Sequence, residues 1–248
     1  MSVAVPPLVL LAGMNCTADL WADAGLGADA GLGADGARGA IQPVLDRPSI
    51  AEQVEVLLDG LPDTFVLVGH SLGGIVGMAL ALAAPQRVAG LCLVSTNAKA
   101  PIDAQRSGWG DWLSQLDEGA EPRALQQSIL CPLLGEALVR DRPDLVQRTL
   151  RMGEDTGVER LRAQLRMQLT RTDLLARLAE LPMPTLVVSG LDDVICPPHF
   201  HTEIVSAMPD ARLVTLDAGH LLPLERPREF GRLVRSWMSQ QRLAGAVA

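Results

Sequence analysis

The apolar run Phe65-Val66-Leu67-Val68 ends in Gly69-His70-Ser71-Leu72-Gly73, and a stretch rich in Ala, Leu, Met and Gly follows at once, up to Ala84. Gly-x-Ser-x-Gly between a buried strand and a helix is the sequence form of a nucleophile elbow, a sharp turn with one serine at its apex. Glycine is needed at Gly69 and Gly73 because the serine is strained and neighbouring backbone packs close to it; a β-carbon would clash. Such a turn exposes the serine hydroxyl at the carboxyl end of a sheet, beside the amino terminus of a helix.

Strand-like and helical patterns alternate along the rest of the chain. Leu8 to Leu11, Ala40 to Leu45, Arg87 to Val94, Pro184 to Ser189 and Ala211 to Leu216 read as strands, and Ile50 to Leu61 and Pro227 to Arg242 as helices. Ser49 caps the first helix, with Gln53 placed to complete the capping arrangement. This alternation predicts an α/β fold, a mostly parallel sheet with helices on both faces. The length of 248 residues fits one domain of that kind.

Two stretches interrupt the rhythm. Asp23 to Ala40 holds three imperfect hexapeptides, DAGLGA, DAGLGA and DGARGA, where a crossover helix belongs. Its glycines disfavour a helix, it lacks the G-x-x-x-x-G-K-[ST] of a phosphate loop, and it reads as a flexible surface loop made by repeat expansion. Lys99 to Leu181 carries helical patterns at Trp109 to Leu116, Ala124 to Val139, Leu145 to Met152, Val158 to Thr170 and Thr172 to Leu181, with no strand. An all-helical insertion there would lie over the carboxyl end of the sheet as a lid. The expected organisation is a core of residues 1–98 and 182–248 and a cap of residues 99–181. Trp109, Trp112, Met152 and Met167, on its apolar faces, are candidates to line a pocket.

The net charge of −8 and the pI of about 5.0 argue against a nucleic-acid partner. With no tyrosine and 3% aromatic residues, base stacking is disfavoured as well. The four cysteines are scattered without a C-x-x-C pair, which fits neither a disulfide framework nor a zinc site; Cys92 lies in a strand run and reads as a core residue. Met1 to Leu11 has no positive leader and is too short to span a bilayer. No integral membrane association, a cytoplasmic location and a monomer or homodimer are expected, with no cofactor or metal.

A serine hydroxyl needs a base to take its proton and a carboxylate to orient that base. Of the four histidines, His70 flanks Ser71 inside the elbow and points elsewhere, so it reads as structural. His199 and His201 open a helix after Pro197-Pro198 on different faces, a poor metal pair. His220 follows the last strand in Asp217-Ala218-Gly219-His220, at the same sheet edge as the serine, and is the candidate base. The acid belongs between serine and histidine in chain order. Asp192 and Asp193, after the strand ending at Ser189, compete for it, with Asp103 an outside candidate. Two backbone N–H groups must meet an oxyanion. Leu72, directly after the serine, supplies one; the loop Ala12-Gly13-Met14-Asn15 supplies the other, with Met14 N–H the candidate donor. Asn15 in that loop and Val194 beside the aspartates are candidate substrate contacts.

With these residues in place, the chain resembles the α/β-hydrolase superfamily over nearly its whole length. The resemblance is carried by the elbow, by Gly190-Leu191-Asp192-Asp193 through Pro197-Pro198, and by Gly219-His220 through Glu225 and Pro227. Its spacing puts the acid at Asp193 and implies a lid at Lys99 to Leu181. The usual His-Gly of the oxyanion loop is Ala12-Gly13 here, and the usual first crossover helix is replaced by the glycine repeats. The resemblance implies a cofactor-independent serine hydrolase acting on a carboxylic ester or thioester of a small, mainly apolar molecule. The same triad also supports C–C bond, lactone or amide hydrolysis and acyl transfer, and the same fold supports lyases, cofactor-free perhydrolases and non-catalytic ligand receptors.

Overall fold

The computed structural model describes residues 6–26, 39–241 and 243. Five parallel strands form one sheet in the order β1 (Leu8–Leu11), β2 (Phe65–His70), β3 (Val88–Val94), β4 (Thr185–Gly190) and β5 (Ala211–Leu216). Parallel neighbours need crossovers. These contain α1 (Ile50–Gly60) before β2, α2 (Leu72–Ala83) before β3 and α8 (Pro198–Ala207) before β5. Between β3 and β4 run α3 (Asp103–Asp117), α4 (Pro122–Ser128), α5 (Leu130–Asp141), α6 (Pro143–Thr156) and α7 (Val158–Leu169). After β5 come the short α9 (Leu222–Glu225) and α10 (Pro227–Gln240).

Every residue of β1, β2 and β4 is buried, as a sheet covered on both faces requires. Successive side chains go to opposite faces. Leu8, Leu10, Val66 and Val68 join one core cluster with Trp21 and with Phe230 and Trp237 of α10. Val9, Leu11, Phe65 and Leu67 join the other with Leu57 of α1 and Met78 of α2. Cys92 is buried in the first cluster.

Several local expectations need correction. The strand expected at Ala40 to Leu45 is reduced to one bridge between Ile41 and Val9. Leu10 N–H donates to Ile41 C=O at 2.9 Å and Ile41 N–H to Leu8 C=O at 2.8 Å. Pro43, two residues on, has no N–H to continue a ladder. The residue that completes the cap of α1 is Glu52, one position before Gln53: Ser49 Oγ accepts its N–H and donates to its Oε1 at 2.8 Å. Gln53 is buried and accepts from the Asp46 and Arg47 N–H groups instead. The helix expected at Ala124 to Val139 is divided at Ile129, between α4 and α5, and kinked again at Gly135, where φ is 77°. Thr172 to Leu181 holds only a 3-10 turn, Leu175–Glu180. Met152 and Met167 are 1% and 0% exposed and belong to the two main cores, because the apolar stripes of α6 and α7 pack inward. The glycine repeats begin in a 3-10 turn, Ala18–Ala24, capped by Gly25 at φ 62°; their residues 27–38, and with them the flexible-loop reading, lie outside the described residues. Among the described residues, no helix is long and apolar enough to cross a membrane, and no group of three or more His, Cys, Asp or Glu could hold a metal ion.

Candidate active site

Ser71 sits between β2 and α2 with φ 51° and ψ −116°, a conformation that L-residues rarely adopt. Its surroundings hold it there. Ser71 N–H donates to Val94 C=O at 3.0 Å, and its own carbonyl accepts from Thr96 Oγ1 at 2.8 Å and from the Gly74 N–H at 2.9 Å. The two motif glycines are sites of close approach: an added Cβ would lie 2.5 Å from the Gly73 carbonyl oxygen at Gly69, and 2.1 Å from the Leu11 carbonyl oxygen at Gly73.

His220, on the loop after β5, lies with Nε2 3.1 Å from Ser71 Oγ. Its Nδ1 lies 2.9 Å and 3.1 Å from the two carboxylate oxygens of Asp193. The aspartate is ionised and can only accept, so Nδ1 carries the proton and Nε2 is free to accept from the serine hydroxyl. Asp193 is 2% exposed, and burial works to raise its pKa. The nearby His220 and the N–H groups of Ile195 and Cys196, which donate to Oδ1 at 2.9 and 2.8 Å, outweigh burial and hold the carboxyl below the ordinary range. Asp192 is exposed, and its N–H donates to Ala218 C=O at 3.0 Å; Asp103 is exposed at the start of α3. His199 is exposed against the Phe200 ring, and His201 is buried, accepting the Thr96 N–H at Nε2.

Leu72 is the first residue of α2, so its N–H has no carbonyl a turn back within the helix. Gly13 packs close to the serine: an added Cβ there would lie 3.2 Å from Ser71 Cβ and 2.7 Å from His70 Nδ1. Among the described residues, Met14 N–H has no protein acceptor. Trp109 and Trp112 are half-buried and, with Met14, pack on a small cluster of Leu116, Leu125, Leu161 and Leu165. Val194 is 70% exposed. Asn15 is a correction: it is fully buried and bonded to α4 and α7, so its side chain braces the loop rather than meeting a substrate.

Three supporting residues carried no assigned partner in the sequence. His70, whose ring Nε2 donates to the His220 carbonyl at 2.9 Å, is held neutral, its pKa lowered to about 3 by burial and by the nearby His220. Arg171 is buried just after α7 and donates to Asn97 Oδ1 at 2.7 Å and Lys99 C=O at 2.8 Å, tying the end of α7 to the loop after β3. Glu225 accepts the Gly219 N–H at 2.8 Å, next to His220. None of these bonds joins residues at a helical or strand spacing.

Glu225 also makes stability depend on pH. Burial raises its carboxyl from an ordinary 4.5 to about 7. The folded state therefore holds a proton the unfolded chain has released. The neutral carboxyl's contribution is fully present below 4.5 and is lost as pH rises through about 7. Glu225→Gln keeps an acceptor for Gly219 and removes only this dependence; lowered His70 and His201 act with the opposite sign in both proteins. We expect the unfolding free energies of the two proteins, from urea titrations, to diverge in favour of Gln by roughly 3 kcal/mol between pH 4 and pH 8. Parallel curves would contradict this.

The family model described as "Alpha/beta hydrolase family" matches residues 8–233. A pimeloyl-[acyl-carrier protein] methyl ester esterase of Nitrosomonas europaea is 31% identical, over 73% of this chain and 74% of its own. A Serratia proteamaculans protein that bears the carbamate hydrolase name RutD is 27% identical, over 94% of this chain and 91% of its own. The crystal structure of a hydrolase from Pseudomonas aeruginosa is 29% identical and superposes with a TM-score of 0.78, covering 96% of this chain and 92% of that one. The parallel sheet, the elbow at its carboxyl edge and a family match over most of the length lead to one conclusion: this chain belongs to the alpha/beta hydrolase family.

Proposed function

We propose that this protein is a serine hydrolase that cleaves a carboxylic ester or thioester of a small, mainly apolar acid through an acyl-enzyme. The observation that carries the proposal is the unbroken hydrogen-bonded chain from Asp193 through His220 to a strained Ser71. His220 Nε2 takes the Ser71 proton as Oγ attacks the carbonyl carbon. The N–H groups of Met14 and Leu72 meet the oxyanion. Asp193 keeps His220 in the reactive tautomer and stabilises its charged form. His220 then protonates the leaving group, and water, activated the same way, releases the acid. No step calls for a cofactor.

In this reading residues 99–181 form the cap over a core of 1–98 and 182–248, and Trp109, Trp112 and Val194 border the substrate. The shared packing of both tryptophans with Met14 supports an apolar acyl group beside the oxyanion loop. The esterase name of the Nitrosomonas relative supports ester cleavage, and the carbamate hydrolase name of the Serratia relative supports carbamate as the second reading. A panel of p-nitrophenyl and methyl esters of graded acyl length, beside thioesters, lactones and a carbamate, decides between them. We expect kcat/KM for a preferred ester or thioester at least about tenfold above that for the carbamate, with selectivity among acyl lengths worth about 0.8 kcal/mol per methylene buried. Carbamate turnover above every ester would overturn the ester reading in favour of the second.

A further inference from the structure

We infer that Gln164 on α7 and Gln126 on α4 are positioning residues for the oxyanion loop: they clamp Asn15 and so aim the Met14 N–H. The inference rests on the reading of Met14 as an oxyanion donor. The loop needs such a clamp. It leaves β1 through Ala12 and Gly13, which have almost no side chain, and behind it lies a cavity of about 230 Å3 whose lining includes Ala12, Gly13, Cys16, Trp21 and Gln164. Neither Ala12 nor Gly13 has a polar side chain that could bond the loop in place.

Hydrogen bonds do the holding. Asn15 is in the left-handed region at φ 55° and is fully buried. Its N–H donates to Gln164 Oε1 at 2.9 Å, and Gln164 Nε2 donates onward to Leu45 C=O at 3.0 Å. The Asn15 side-chain amide donates to Gln126 Oε1 at 2.8 Å and to Pro122 C=O at 3.1 Å. Gln126 and Gln164 are 1% and 2% exposed, so neither can exchange these bonds for water without moving its helix. Gln168, one turn past Gln164 on the same face of α7, sets Nε2 3.9 Å from Met14 Sδ. One helix therefore grips Met14 and Asn15 in succession. Gly153 lets α6 close over the group: an added Cβ would lie 3.2 Å from Asn15 Nδ2 and 3.0 Å from Gln126 Cβ. Oxyanion stabilisation in this protein thus depends on how the inserted helices are seated on the core, and a shift of α7 withdraws the Met14 N–H.

The test compares Gln164→Met, which keeps the length and loses the acceptor, with Gln164→Glu. In its neutral form the buried glutamic acid keeps an acceptor for Asn15 and a donor for Leu45. Kinetics on one p-nitrophenyl ester and amide hydrogen exchange of the peptide spanning residues 12–17 are read for each. We expect Gln164→Met to lower kcat about ten- to hundredfold, below the full loss of an oxyanion donor, with KM within about threefold and faster exchange in that peptide alone. Gln164→Glu should stay within about fivefold of the parent in kcat and keep the protection. Unchanged kcat and exchange in Gln164→Met, or equal losses in both variants, would overturn the inference. A parent protein without Ser71-dependent turnover would sink the hydrolase reading instead, and the exchange comparison would still decide whether Gln164 holds the loop.

Discussion

Ser71→Ala is expected to lower kcat on the order of 10^4- to 10^6-fold and to leave the protein folded. The size follows from the parts acting as a unit: without Oγ there is no covalent step, and His220 and Asp193 have no proton to move. What remains over the uncatalysed rate comes from the oxyanion N–H groups and from binding. Stability should change little. Among the described residues the hydroxyl is bonded to His220 alone, while the bonds that hold the strained turn use the Ser71 backbone, with Val94, Thr96 and Gly74. Steady-state kinetics beside a thermal melt read both quantities. A variant that melts like its parent and keeps more than about one per cent of kcat would remove Ser71 from the chemistry.

Asp193→Asn should cost on the order of 10^3- to 10^4-fold in kcat through the tautomer of His220. The Ile195 and Cys196 N–H groups fix which atom of the substituted amide can face them, since both need an acceptor. The amide's carbonyl oxygen takes that place, and its NH2 then faces His220 Nδ1. A donor there forces Nδ1 to accept, so the ring proton moves to Nε2, the nitrogen that must accept from Ser71. The geometry survives and the base is lost. The loss should fall on kcat, with KM nearly unchanged. A fall of less than about tenfold would mean that the loop around Gly219 and the His70 bond to the His220 carbonyl suffice to orient the ring.

The core of the fold is legible because its signals are local. Strands β1 to β4 are short, mainly apolar runs, and the elbow packs a strand end, a strained serine and a helix start into a few residues. The carboxyl-edge loops carry Asp193 and His220 directly after β4 and β5, so chain order alone brings them near Ser71. What escapes is non-local or turns on a single residue. Asn15 reads as a loop residue facing a substrate, yet its partners Gln126 and Gln164 lie 111 and 149 positions away. No periodicity encodes that pairing. Gln53 reads as part of a cap because it follows Ser49 closely; a shift of one position gives that task to Glu52 and sends Gln53 under the preceding loop. Met152 and Met167 sit on stripes that fit a pocket wall or a core equally well in sequence, and only the packing of α6 and α7 chooses the core. Pro43 does carry a usable signal, since a proline at that point argues against a strand from Ala40 to Leu45.

In the proposed mechanism Ser71 is a nucleophile activated by His220. Its most direct test is intact-protein and peptide mass spectrometry after treatment with a fluorophosphonate, which reacts with activated serines. We expect one adduct per chain, carried by the peptide containing Ser71, absent from Ser71→Ala and formed at least about a hundredfold more slowly in His220→Ala. An adduct on another residue, no adduct on the folded parent protein, or labelling of Ser71 at the same rate without His220 would contradict it.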